Sequence, residues 1–129
     1  MDITLNIGLE VSRNYLPDGV EKMTLQFKYV EDVLKNIIGE PHYVGMAQSL
    51  SEKTLVVQYT NVYLVLHRLL WLARELKQDC IAYRIKDNGH VLGGALVGEY
   101  AHEWNYGIFD NTYFIEATSQ LDWFTGWPL

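Results

Sequence analysis

Residues 3–13, ITLNIGLEVSR, place Ile3, Leu5, Ile7, Leu9 and Val11 in unbroken alternation with Thr4, Asn6, Gly8, Glu10 and Ser12. A period of two means one apolar face and one polar face, so this stretch predicts a strand in a sheet covered on one side. It ends at NYLPDG, where Pro17, Asp18 and Gly19 break the pattern. A sheet of that kind needs something in the rest of the chain to cover its apolar face.

The next segment changes period. Met23, Phe27, Val30, Leu34 and Ile37 recur at helical spacing, and Gly39 and Pro41 follow as a helix terminator and a stop. The start of this helix is open, because MTLQFKY also alternates. HYVGMAQS and TLVVQYT then read as two strands joined by the short link LSEK, a β-hairpin. A second helix begins after Thr60 or Asn61, with Val62, Leu66, Leu69, Ala73 and Leu76 as its stripe. Tyr63, Leu64, Leu70 and Trp71 make the neighbouring faces apolar too, more than a helix lying on a sheet requires. CIAYRIKDNGHVLGG closes the series as a hairpin turning at Asp87-Asn88-Gly89, and TYFIEA reads as one more strand.

These elements predict one domain over residues 1–129 of the α+β class. Its first six match the ferredoxin-like β-α-β-β-α-β order, with two helices on one face of an antiparallel sheet. An extra hairpin strand and an aromatic C-terminal extension follow. The chain has 129 residues, 49% of them hydrophobic and 20% charged, as suits a globular fold with one core. Its net charge of -6 and the lack of basic runs argue against a nucleic-acid partner, which requires clustered cations. NVYLVLHRLLWLA is interrupted by His67 and Arg68 and is too short to span a bilayer. MDITLNIGLE lacks the basic and apolar regions of a signal peptide, and Cys80 has no second cysteine to pair with. The expectation is a cytoplasmic protein without a membrane partner.

Chemistry is concentrated in EYAHEWNYGIFDNTYFI, residues 99–115. On a helix, Glu99, His102 and Glu103 share a face, and E-x-x-H is half of a di-iron carboxylate pattern. The other half is missing, since His67 has Leu64 where the glutamate belongs. This cluster supports one alternative: a small metal-dependent or acid-base enzyme using His102 with Glu99 or Glu103, with Asp110 as a further member. Cys80 opens a strand with little around it to lower its pKa, so it reads as a small buried hydrophobe. Gly93-Gly94 carries neither a P-loop nor a dinucleotide pattern, and Gly93, Gly94 and Gly98 read as the place where the chain turns away from the last strand.

The aromatic residues weigh more. Trp104, Phe109, Trp123 and Trp127 lie in the last 26 residues, and Tyr63, His67, Leu70 and Trp71 lie together on the second helix. Trp and Tyr are the side chains most enriched at interface hot spots and in apolar pocket walls. The favoured reading is a non-catalytic, homo-oligomeric binding protein that needs no cofactor. Those eight residues form its contact with a small ligand, a protein partner or a second copy. NIGLEV, LVVQ, QDCIAYRI and GIFDNTYFI resemble stretches of small proteins from mobile elements such as integron cassettes and phages. That resemblance carries no functional residue; it implies an accessory protein that assembles as an oligomer.

Overall fold

The computed structural model describes residues 1–49, 52–104 and 114–116. Five strands form one antiparallel sheet: β1 (Asp2–Gly8), β2 (Tyr43–Ser49), β3 (Glu52–Tyr59), β4 (Ile81–Asp87) and β5 (His90–Val97). Their spatial order is β2-β3-β1-β4-β5. Three helices accompany them: α1 (Phe27–Ile37), α2 (Val62–Glu75) and the single turn α3 (Ala101–Trp104). The protein is thus α+β, as the patterning predicts.

β1 is the central strand, and its alternation decides what each face becomes. Leu5 pairs with Val57 on one side and Tyr83 on the other; Asn6 pairs with Val56 and Ala82. Ile3, Leu5 and Ile7 are fully buried together with Leu55, Val57 and Ile81, and Val30 and Leu34 of α1 and Val65, Leu69 and Leu72 of α2 join the same core. Each such side chain contributes about 1.5–3 kcal/mol on leaving water, so this face holds the fold together. The other face is not left bare. Val56 and Ala47 form a second small cluster there, with Tyr43 and Ile115 packed against it. TLVVQY is apolar at consecutive positions because β3 is covered on both faces.

Several boundaries differ from the sequence expectation. The β1 ladder stops at Gly8, although Leu9 and Val11 are buried. Beyond it, Leu25 N–H donates to Leu9 C=O at 2.7 Å and Val11 N–H to Met23 C=O at 2.8 Å. Residues 23–25 are therefore extended, Met23 is exposed, and α1 begins only at Phe27. The buried face of α2 runs through Val62, Val65, Leu69, Leu72 and Ala73, with Leu66 only half-buried. Gly93 and Gly94 do not turn the chain: they pair with Ile85 and Arg84 inside β5. The turn comes at Gly98, where an added Cβ would lie 2.6 Å from the Cα of Cys80. No side chain fits so close to backbone, so only glycine lets β5 leave the sheet here.

α2 ends in a six-residue closure. Gln78 N–H donates to Ala73 C=O at 2.9 Å and Lys77 N–H to Arg74 C=O at 3.1 Å. This is the Schellman pattern, with Lys77 at φ 53 in the left-handed position glycine usually occupies. The closure aims Gln78 and Asp79 back beneath β1, and both are nearly inaccessible to solvent.

Candidate functional site

Two places gather the chemistry, one on each side of the sheet. The first is the outer face of α2. Tyr63, His67, Leu70 and Trp71 fall at i, i+4, i+7 and i+8 of a helix whose opposite side is core, so they form one exposed strip. Tyr63 is 73% exposed and Trp71 69%, which is unusual for side chains of that size. Beside Trp71 lies a groove of about 390 Å³ between the two long helices. Val33 and Ile37 of α1 form its apolar floor, and Arg68 and Glu75 of α2 flank Trp71. The Arg68 guanidinium donates to the Ile37 carbonyl at 2.6 Å, which ties α2 to the end of α1.

The second place is on the opposite face, where β1, β3 and β4 make the floor of a cavity of about 230 Å³. Asn6, Glu52, Gln78, Asp79, Trp104 and Ile115 are among its walls. None of the described lining residues is basic. Asn6 gives both ends of its amide to one residue: Nδ2 donates to Ile115 C=O at 2.9 Å, and Oδ1 accepts Ile115 N–H at 2.8 Å. A side chain here does what a neighbouring strand's backbone would do. Sequence patterning predicts a strand over TYFIEA; residues 114–116 are not in a ladder, and Asn6 is the reason they still lie along the sheet. Arg84 continues this closure, pairing with Glu116 and lying 4.5 Å from the centre of the Phe114 ring.

Asp79 is the hub of the far wall. Its carboxylate accepts from Asn14 Nδ2 at 3.0 Å and from Trp104 Nε1 at 2.6 Å, and its backbone N–H donates to Ser12 Oγ at 2.7 Å. Cys80 follows it; burial above all, and then the Asp79 charge, push the thiol up to about 11. Glu52 lies over Gly8, accepts Glu10 N–H at 3.1 Å, and has its pKa raised chiefly by burial. Gln78 spends both amide hydrogens, on Glu10 C=O and Leu76 C=O, each at 3.1 Å.

The E-x-x-H-E cluster is dispersed. Glu99 pairs with Arg74, Glu103 accepts from Asn14 at 2.9 Å, and His102 is exposed on α3. Among the described residues, no three His, Cys, Asp or Glu side chains come together as a metal-binding group. Phe109, Asp110, Trp123 and Trp127 lie outside the described residues. Trp104, expected as a contact residue, is half-exposed and is also among the walls of the cavity. The sequence reading missed Glu52, Gln78 and Asp79, because positions 52 and 78–79 meet only through the closure after α2.

No protein-family model matches the chain, and no curated protein does. Among solved structures, the fold is similar to that of a phage SAM lyase in complex with S-methyl-5'-thioadenosine. The two are 13% identical, the match covers 74% of this chain and 87% of that one, and the TM-score is 0.49. Among the described residues, no helix is long and apolar enough to cross a membrane.

Proposed function

We propose that this chain is a homo-oligomeric interaction protein that uses the outer face of α2 to bind a second copy of itself. The observation that carries the reading is the strip of Tyr63, His67, Leu70 and Trp71, two of whose aromatic rings are more than two-thirds exposed. Apolar surface of that kind, next to a groove with an apolar floor, belongs against a partner.

The charges beside it favour a second copy as that partner. Arg68 and Glu75 lie three positions before and four after Trp71 on the same face. When two α2 helices pack antiparallel about a twofold axis near Trp71, Arg68 meets Glu75 of the partner subunit, and the reverse pair forms by symmetry. Trp71 then fills the space between them.

The strand order β2-β3-β1-β4, with α1 and α2 on one face, supports a ferredoxin-like core to which β5 adds an edge strand. The lone, poorly ionised thiol of Cys80 is in keeping with a reducing, cytoplasmic setting. An accessory role in a mobile element follows from the sequence resemblance.

The test is solution mass by light scattering. The chain is expected at a multiple of 14.9 kDa. Arg68→Glu is expected to dissociate it, and the double reversal Arg68→Glu with Glu75→Arg to restore it. A folded wild-type protein that runs as a monomer, or a Trp71→Glu variant of unchanged mass, would overturn the proposal.

A further inference from the structure

We propose that the outer edge of β5 is a second self-association surface, along which two copies join their sheets antiparallel about a twofold axis at Ala95. β5 is the last strand in the order β2-β3-β1-β4-β5, and no described residue outside β4 makes a backbone hydrogen bond to it. Along such an edge every second residue turns its N–H and C=O outward, where another strand can pair with them. Edges that must stay single carry lysine, proline or an inward-pointing charge. Residues 91–98 contain none of these. Val91 and Leu92 are instead 50% and 59% exposed. Leu92 is the extra residue where β5 shifts register against Ile85 and Lys86, and beyond it residues 93–97 pair regularly with β4.

That regular stretch fits a copy of itself. With the axis at Ala95, Gly93 lies opposite Val97 of the partner subunit and Gly94 opposite Leu96 of the partner subunit, each twice by symmetry. Ala95 meets its own copy. Every larger side chain of the stretch therefore faces a glycine. The faces agree as well: Gly93, Ala95 and Val97 pair with Ile85, Tyr83 and Ile81, whose side chains belong to the core under the helices. A side chain built at Gly93 would meet nothing within 4 Å. The space opposite the partner's Val97 is open.

Charge favours a second copy as the occupant. The chain carries a net charge of -6, so most approaches of two copies bring acidic surfaces together. Residues 91–98 are uncharged, and two such edges meet without repulsion. An edge of eight residues is about 27 Å long and roughly 10 Å deep, well short of the ~1,200 Å² that a stable interface buries. The contact is therefore weak and forms as concentration rises. It uses no residue of the α2 strip.

The experiment is light scattering over a range of protein concentrations, on the wild-type chain and on Trp71→Glu, each with and without Gly93→Lys. The lysine stands where its own chain leaves room but where the partner's Val97 would lie. An unchanged far-UV circular-dichroism spectrum shows that each variant is folded. Trp71→Glu is expected to double its mass with concentration, and Trp71→Glu with Gly93→Lys to stay a single chain. A Trp71→Glu protein that is one chain at every concentration, or one that doubles equally with the lysine present, would overturn the proposal. If Trp71→Glu keeps the wild-type mass, the α2 contact fails alone, and loss of mass on Gly93→Lys still supports pairing at β5. Ala95→Cys tests the axis directly: mild oxidation should give a covalent dimer through position 95, with none from the wild-type chain, whose Cys80 is its single thiol. No covalent dimer from Ala95→Cys would count against the proposal in the same way.

Discussion

Replacing Asn6 with alanine separates local from global stability in this fold. The Asn6 amide makes two hydrogen bonds, of 2.9 and 2.8 Å, to the backbone of Ile115, 109 positions away. A net value of about 0.5–1.5 kcal/mol for each bond gives roughly 2 kcal/mol for the pair. Alanine leaves the β1 ladder intact, since its backbone still pairs with Val56 and Ala82. The loss should therefore fall on residues 114–116, which keep Arg84 as their other anchor. Two kcal/mol corresponds to about a 30-fold change in a local opening equilibrium. Amide hydrogen exchange read by NMR is expected to show that acceleration at Ile115, with Leu5 and Val57 nearly unchanged. Asn6→Asp keeps the acceptor for Ile115 N–H and loses the donor, so it should give an intermediate rate. An Ile115 rate within about threefold of wild type would refute the reasoning, because it would leave the paired bonds without energetic effect. Equal acceleration in the central strands would refute the claim that the effect is local.

Three other outcomes follow from positions with distinct physics. Lys77→Gly relieves a left-handed conformation at the end of α2 and should stabilise the fold by about 0.5–1 kcal/mol, seen as a rise in Tm of roughly 2–4 °C; a lower Tm would contradict this. Gly98→Ala forces a methyl group onto the backbone at Cys80 and should cost about 1–3 kcal/mol of stability, seen as a lower urea midpoint; an unchanged midpoint would show that β5 can leave the sheet another way. Cys80, with its thiol pushed up to about 11, is expected to react with iodoacetamide at pH 8 at least ~100-fold more slowly in the folded protein than in denaturant. Comparable rates would mean the thiol is not held in that environment.

The helices and strands were legible where one periodicity governed a whole segment. Ile3, Leu5 and Ile7 announced β1 because each alternate position meets the same core, and Asp87-Asn88-Gly89 announced its hairpin through turn chemistry. Boundaries were legible only where local and tertiary signals agreed. Met23 fits the helical stripe by spacing, yet the pairing of residues 23–25 with Leu9 and Val11 keeps that stretch extended. The α2 strip was readable because Tyr63 and Trp71 exceed what a core helix requires. The cavity was not. Glu52 ends a hairpin, Gln78 and Asp79 follow a helix, and Asn6 sits mid-strand; no spacing relates them. What joins them is the left-handed turn at Lys77, and a lysine there gives no sequence signal of such a turn.

The place of β1 in the sheet also governs how the protein comes into being. Leu5 must find Val57 and Tyr83, 52 and 78 positions later in the chain. At ribosomal rates of about 5–20 residues per second, the segment that becomes the centre of the sheet waits several seconds for its second neighbour. The β2–β3 hairpin can close locally in the meantime, through the pairing of Ser49 with Glu52. β1 cannot, and its row of isoleucine and leucine side chains stays uncovered during that interval. Nascent chains of this protein should therefore be held by chaperones until β4 emerges. Variants that weaken the β1–β4 pairing should reduce the yield of folded protein more than they reduce its final stability.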